Sequence, residues 1–384
     1  MRVIASTLVV LLMAACANVV IDPLGIFFVA DIPGLNRYKP EVLNYWRTSL
    51  PLRARLVRPE GVVIGSSRAL LGIDPADAAF RGAKVYNLSV PGANTCDMRD
   101  ALAIALAGGK LKQAVIGLDF FTATTRRIGP DCGLREARDH PWRLLAQTVL
   151  SSDTLNASVK TVTKQRKVDS ALWQPAPDGH AWLHPGFETK TGGARARFMQ
   201  MEALYARDHY LMPPHCGFVL EQPGADSLHH LRALLDRAHA AGVDVRLFFS
   251  PEHARQLAVI EEAGLLPVFE AWMRGVLRVN QEAAAAAGKP PFPVTAHHEA
   301  AWVTEALPAP GAHAPMRWML DGTHYTPAAG QAMLARVMAP PLPLDVGAEM
   351  DSLRTLMQRY FAAHPQEREE IRAMVARIKS ECRR

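Results

Sequence analysis

The sequence predicts an α/β protein built on a mainly parallel central sheet. Three observations carry this expectation. Apolar runs of strand length recur at residues 62–64, 113–121 and 243–249. Helix-length stretches lie between them and end at glycines, Gly108-Gly109 in one case and Gly242 in another. Strand, helix and strand in this order form a parallel βαβ unit.

Residues 3–21 carry no charge. At a helical rise of about 1.5 Å they cover roughly 28 Å, enough to cross a bilayer. Three readings are open: an uncleaved anchor helix, which we favour; a cleaved signal peptide with Ala15-Cys16-Ala17 as its small-residue site; and a lipoprotein signal ending at Cys16. Asp22-Pro23 and Gly25 break the helix, and residues 31–58, rich in proline, basic and aromatic side chains, read as a connector. The globular part begins near Gly61. Residues 84–90 alternate enough to be a second strand, and 97–107 a helix with Ala101, Ile104 and Leu106 on its apolar face. Residues 113–121 are the third strand. Periodicity then weakens over about 125–225, which reads as an inserted cap or side wall with helical patches near 141–165 and 194–207. Order returns with a helix over 227–241, a strand over 243–249, a helical stretch over 254–287 broken near Gly264, and a short strand over 292–296. Thr326 and Pro327 are N-cap and first residue of a further helix. After Pro340 the composition changes: residues 347–381 are charged and helical, with Leu353, Met357 and Phe361 on one face. The domain reading is therefore 1–30 as anchor or signal, 31–58 as connector, 59–340 as the α/β domain and 341–384 as a helical extension.

In a chain of 384 residues the net charge of +6 is scattered, without a basic tract interleaved with aromatics, so no nucleic-acid partner is expected. The five cysteines form no Cys-x-x-Cys pair and the fourteen histidines show no zinc spacing, so neither a metal nor another cofactor is expected. In an oxidising compartment Cys132 and Cys216, both in the irregular middle region, are one option for a disulfide.

Two stretches carry chemistry. The first apolar run leads into Gly65-Ser66-Ser67-Arg68, which places a serine at the carboxyl end of a central strand, where open α/β sheets bind ligands. Far downstream, Asp321-x-x-His324 supplies an imidazole with a carboxylate three residues before it, a base and its orienter. These blocks, in this order, resemble the SGNH (GDSL-like) hydrolase superfamily. In its pattern a serine follows strand one, a glycine after strand two and an asparagine after strand three donate to the oxyanion, and an Asp-x-x-His closes the triad. The resemblance covers residues 60–340 and implies a three-layer α/β/α sandwich with Ser67 as nucleophile, His324 as base and Asp321 as orienter. Gly92 matches the glycine block. The Gly-Ser-Ser-Arg form behind an apolar leader is most similar to membrane-anchored envelope members that transfer D-alanyl or O-acetyl groups.

The third block departs from that pattern, with Asp119 where asparagine is expected. An ionised Asp119 cannot donate. Either Asn94 replaces the donor, or backbone N–H groups of Ser67 and Gly92 form the hole, and Asp119 is free to orient Arg68. Ser66 is the alternative nucleophile. Arg68 either binds an anionic substrate or pairs with Asp119. His253, in Ser250-Pro-Glu-His253, either touches substrate or caps the helix that follows. Arg317 and Trp318 either wall the substrate or belong to the core. The implied function is an esterase or O-acyltransferase acting through an acyl-enzyme on an acylated cell-envelope glycan or small acyl ester, held to the membrane on its extracytoplasmic side. A catalytically degenerate scaffold that binds glycan or assembles an envelope complex is the alternative.

Overall fold

The computed structural model describes residues 2–124, 132–165, 172–214, 216–220, 227–340 and 342–382. Strands β1 (Gly61–Ile64), β2 (Val85–Asn87), β3 (Gln113–Leu118), β6 (Asp244–Phe249) and β7 (Val294–Ala296) form one sheet in the order β2-β1-β3-β6-β7. All four pairings are parallel. Strands β4 (Trp173–Pro175) and β5 (Ala181–Leu183) form a separate antiparallel hairpin. The chain runs outward from β1 to β2 and then crosses back to β3, so the switch point lies between β1 and β3, where the carboxyl ends of the strands leave a crevice.

Side-chain alternation splits the core between the two faces of this sheet. Val62, Ile64, Ile116, Leu118, Leu247 and Phe249 meet helices Thr95–Leu106, Ser227–Ala241 and Leu266–Ala287 on one face. Val63, Val115 and Phe248 meet helix Pro327–Val337 on the other, through Met333 and Leu334. Strands buried on both faces read as unbroken apolar runs, which is why they are visible in the sequence.

Several boundaries differ from the sequence reading. The third strand stops at Leu118, because residues Phe120–Thr122 turn into a 3-10 helix with the Thr122 hydroxyl bonded to the Asp119 carbonyl at 2.8 Å. The second strand is only Val85–Asn87. The stretch read as a connector contains helix Trp46–Val57, whose Trp46, Leu50 and Ala54 lie in the main core. In the middle region, helices Pro141–Leu150, Ser152–Lys164 and Gly193–Tyr205 match the helical patches, while residues 125–131, 166–171, 215 and 221–225 of that insertion lie outside the described residues. The cysteines pair as Cys96–Cys132 and Cys216–Cys382, which replaces the Cys132–Cys216 option. The fold brings Cys96, at the start of helix Thr95–Leu106, to Cys132, and the end of the last helix to Cys216. The C-terminal helices Val346–Ala363 and Pro365–Glu381 pack on the body through Leu353, Met357, Ile371 and Val375.

Helix Arg2–Ile21 is long and apolar enough to cross a membrane. Its last turn is fastened to the body. The Asn18 amide donates to the Val149 carbonyl at 2.8 Å and its oxygen accepts from Ser158 at 2.8 Å. The Asp22 carboxylate accepts from the backbone N–H groups of Ile26 and Phe28, and buried Lys39 donates to the Asp22 carbonyl at 2.7 Å. Burial pulls the Lys39 ammonium pKa below its ordinary value, with Asp22 opposing the shift.

Candidate active site

β1 leaves the sheet at Gly65, where a Cβ would press on Ala69 at 2.8 Å, so only glycine admits the tight start of helix Ser67–Gly72. The two serines then divide. Ser66 is the N-cap, its hydroxyl accepting from the Arg68 N–H at 3.2 Å. Ser67 is the first helical residue and its Oγ donates to His324 Nε2 at 2.9 Å.

His324 is presented by a tight turn whose Leu320 N–H bonds the His324 carbonyl at 2.8 Å. Its Nδ1–H donates to Asp321 Oδ2 at 2.8 Å, which leaves Nε2 to accept from Ser67. Asp321 Oδ1 takes the Thr323 N–H at 2.9 Å, the Thr323 hydroxyl at 3.0 Å and the His324 N–H at 2.9 Å. Burial pushes the Asp321 carboxyl up, but His324 and these hydrogen bonds outweigh it and hold the pKa at about 2. Asp321 is therefore an anion throughout the working range. Thr323, which the sequence reading did not single out, holds the carboxylate at the angle His324 needs.

Serine and histidine lie 257 residues apart in the chain. Close packing unites them. A Cβ on Gly72, at the end of the serine's helix, would fall inside the Tyr325 ring, and one on Gly330 would strike the Gly72 carbonyl. Tyr325 follows His324 directly, and Gly330 lies in the helix capped by Thr326, as the sequence indicated. The two glycines let the helix of Ser67 and the helix after His324 approach to backbone contact.

The backbone N–H groups of Ser67 and Gly92 are the candidate oxyanion donors. Gly92 sits at φ +67° in the turn after β2 and lines the cavity in front of Ser67. No described residue accepts a hydrogen bond from the Gly92 N–H or from the Ser67 N–H, which is one of the four unpaired donors of a helix start. Asn94, the candidate third donor, is fixed through its side-chain oxygen. It is the N-cap of helix Thr95–Leu106, its side chain taking the Asp97 N–H at 3.0 Å in a capping box.

The remaining candidates are structural. Arg68 is fully buried. It donates to Glu252 Oε1 at 2.6 Å and to the Pro251 carbonyl, and pairs with Asp119 at 3.3 Å. Arg68 therefore binds no substrate, and Asp119 takes the role of its partner. Burial, with Asp119 adding to it and Arg68 opposing, raises the Glu252 pKa to about 8. His253 caps helix Ala254–Glu262: Nδ1 accepts from the Arg255 N–H at 3.2 Å and Nε2–H donates to the Glu305 carbonyl at 2.8 Å. Burial depresses its pKa to about 4. His253 does not face the cavity. Arg317 stacks on Trp318 at 4.4 Å, and neither lines it.

The cavity over Ser67 and His324 encloses about 510 Å³. Its walls come from Trp173 on the hairpin, Phe121 after β3, and Met201, Leu204 and Tyr205 on helix Gly193–Tyr205, none of which the sequence singled out as wall residues. Trp173 lies edge-on to His324 with ring centres 6.2 Å apart. Arg197 ties that helix to the turn before His324, donating to the Leu320 carbonyl at 3.0 Å. A scan against family models finds none that matches this chain, and a search of curated proteins likewise finds no match.

Proposed function

We propose that this protein is a serine esterase or O-acyltransferase of the SGNH type, with the three-layer α/β/α arrangement of that superfamily. One observation carries the reading: an unbroken hydrogen-bonded chain from Ser67 Oγ through His324 to ionised Asp321, opening on a cavity. Ser67 Oγ attacks the ester carbonyl while His324 Nε2 takes its proton, and the carbonyl oxygen becomes an anion beside the Ser67 and Gly92 N–H groups. The intermediate collapses, the bond to the leaving oxygen breaks, and His324 returns the proton to that oxygen. Water or a sugar hydroxyl then attacks the acyl-serine as His324 takes its proton, the bond to Ser67 Oγ breaks, and His324 returns the proton to Ser67 Oγ. Asp321 stabilises the imidazolium in both halves.

The acyl acceptor in this reading is water or a cell-envelope glycan, on the extracytoplasmic side of a membrane. Two disulfides support an oxidising compartment. The apolar helix runs without a break through Ala15–Ala17 into buried Asn18, which favours a retained anchor over cleavage. Asp119, which pairs with Arg68 and donates to no oxyanion, favours the alternative of a degenerate glycan-binding scaffold.

The deciding experiment measures hydrolysis of short-chain p-nitrophenyl esters and labelling by a fluorophosphonate probe. Turnover and labelling at Ser67, both lost in Ser67→Ala and with turnover lost in His324→Ala, support the enzyme. Glycan binding by a protein that neither turns over esters nor takes the probe supports the scaffold.

A further inference from the structure

The cavity beside Ser67 is larger and less polar than a two-carbon acyl group requires. Its wall is mainly apolar, with Leu71, Phe121, Leu172, Trp173, Met201 and Leu204 among its side chains. The charged side chains at its edge are already committed. Arg197 donates to Glu188 through both terminal nitrogens at 2.7 Å, to Thr191 at 2.7 Å and to the Leu320 carbonyl at 3.0 Å. The Asp321 carboxylate serves His324 and Thr323. The His209 ring is packed against Phe121 at 4.8 Å and Tyr205 at 4.6 Å. Among the described residues, no charged side chain of the wall is left to hold a sugar carboxylate, a phosphate or an ammonium group.

A second observation concerns where this wall is attached. Next to Trp173, Gln174 accepts from the Lys39 N–H at 2.8 Å, and Pro175 lies 3.3 Å from where a Cβ of Gly25 would stand. Lys39 in turn donates to Asp22, one residue beyond the membrane-length helix. One layer of side chains therefore separates the cavity wall from the end of the apolar helix.

We infer that this cavity seats an unbranched aliphatic acyl chain of medium length, carried by an amphiphilic ester that reaches the enzyme at the membrane surface. The inference rests on the acyl-enzyme reading above and names the acyl group that reading leaves open. The chain lies along the apolar wall, the ester carbonyl sits at Ser67 Oγ, and the alcohol half faces the open side.

The test uses the full chain in nanodiscs, with empty-nanodisc blanks, and p-nitrophenyl acetate, butanoate, hexanoate and octanoate. Burial of each methylene is worth about 0.8 kcal/mol, so kcat/KM rises about fourfold per methylene until the wall is filled. Met201→Trp, which shortens the cavity, lowers the octanoate-to-acetate ratio by at least about tenfold on the same scale. A ratio that is flat or falls from acetate to hexanoate, in a protein whose acetate turnover disappears with Ser67→Ala, overturns the chain-binding inference and leaves the acyl-enzyme reading standing. Calorimetric binding of octanoate and acetate by the Ser67→Ala protein separates the opposite failure. Octanoate binding that Met201→Trp weakens, without ester turnover in the unmodified protein, supports the chain site and removes the acyl-enzyme. Absence of both turnover and octanoate binding overturns both.

Discussion

Strands β1 and β6 end on the same rim of the sheet, and each runs into a similar sequence. β1 leads into Gly65-Ser66-Ser67-Arg68 and β6 into Ser250-Pro251-Glu252-His253. Each exit starts a helix, and each helix has a side-chain cap, Ser66 in one and His253 in the other. The difference lies in what remains after the local bonds are made. At β1 the cap is satisfied by one serine, and the next keeps its hydroxyl for the cavity and His324. At β6 Glu252 is turned onto Arg68, and both ring nitrogens of His253 are used by backbone groups. Residue type alone does not separate a catalytic exit from a structural one. Unspent hydrogen-bonding capacity facing open space does.

The largest effect belongs to the β1 side. Asp321→Asn keeps an oxygen for the Thr323 and His324 N–H groups but favours the wrong imidazole tautomer, so kcat falls by about 10⁴-fold. Thermal unfolding of the variant close to the parent protein identifies the loss as chemistry. A loss of less than tenfold would break the comparison, because the β1 exit would then be no more catalytic than the β6 exit.

Arg68 joins the two exits and gives the next effect. It is the buried cation paired with buried Asp119 and bonded to the Glu252 carboxyl. Removing one partner of such a group leaves uncompensated charge, at a cost of about 3–5 kcal/mol. Arg68→Met is therefore expected to lower the urea midpoint by that equivalent. A cost below about 1 kcal/mol, the range of exposed pairs, would mean that the exits are independent.

Much of this was legible in the sequence, and the rest was hidden for identifiable reasons. The strands β1, β3 and β6 showed as apolar runs because both faces are covered. Thr326 and Pro327 announced a helix start, and the Asp-x-x-His spacing announced the pair that the turn now holds at 2.8 Å. Helix Trp46–Val57 was read as a connector because Pro51 and three arginines interrupt its apolar face. The cysteine pairing depends on which loops the fold brings together, which no local pattern encodes. The cavity walls come from the hairpin and from helix Gly193–Tyr205; the patch near 194–207 indicates that helix, but its apolar residues point to several sides and so do not mark the face that lines the cavity. At Asn94, Arg68 and His253 the sequence leaves two readings open for a common reason: a polar residue beside a strand end looks the same whether its bonds point into the cavity or into the protein.

The pH dependence sharpens the β6 side. The folded Glu252 carboxyl has a pKa of about 8, raised above its ordinary value of 4.5. Between those values the folded protein holds a proton that the unfolded chain has lost. The stabilisation is complete below about pH 4.5 and declines as pH rises towards 8, by at most about 1.4 kcal/mol per pH unit. His253 acts in the opposite sense: its depressed value of about 4 makes stability rise with pH from there to its ordinary 6.5. Glu252→Gln, which carries the amide in place of the neutral acid, removes the first slope and leaves the second. Urea midpoints at pH 5, 6.5 and 8 check this. A gap between parent and variant that stays constant with pH would show that Glu252 is ionised in the folded protein.

The smallest effect is the finest test of how the two serines divide. The Ser66 hydroxyl caps helix Ser67–Gly72 and touches no reacting atom, so Ser66→Ala loses an N-cap, about 1 kcal/mol. That helix has only six residues, and its far end is fixed by the Gly72–Tyr325 contact. The body of the fold therefore holds it in place when the cap is removed. Turnover changes little, while Ser67→Ala removes the nucleophile and with it at least about 10⁴-fold in kcat. Measured side by side, the adjacent serines differ by orders of magnitude in rate and by about one cap in stability. If Ser66→Ala instead abolishes turnover and Ser67→Ala does not, the nucleophile lies one residue earlier, and the His324 contact at 2.9 Å belongs to a resting arrangement rather than to the reacting one.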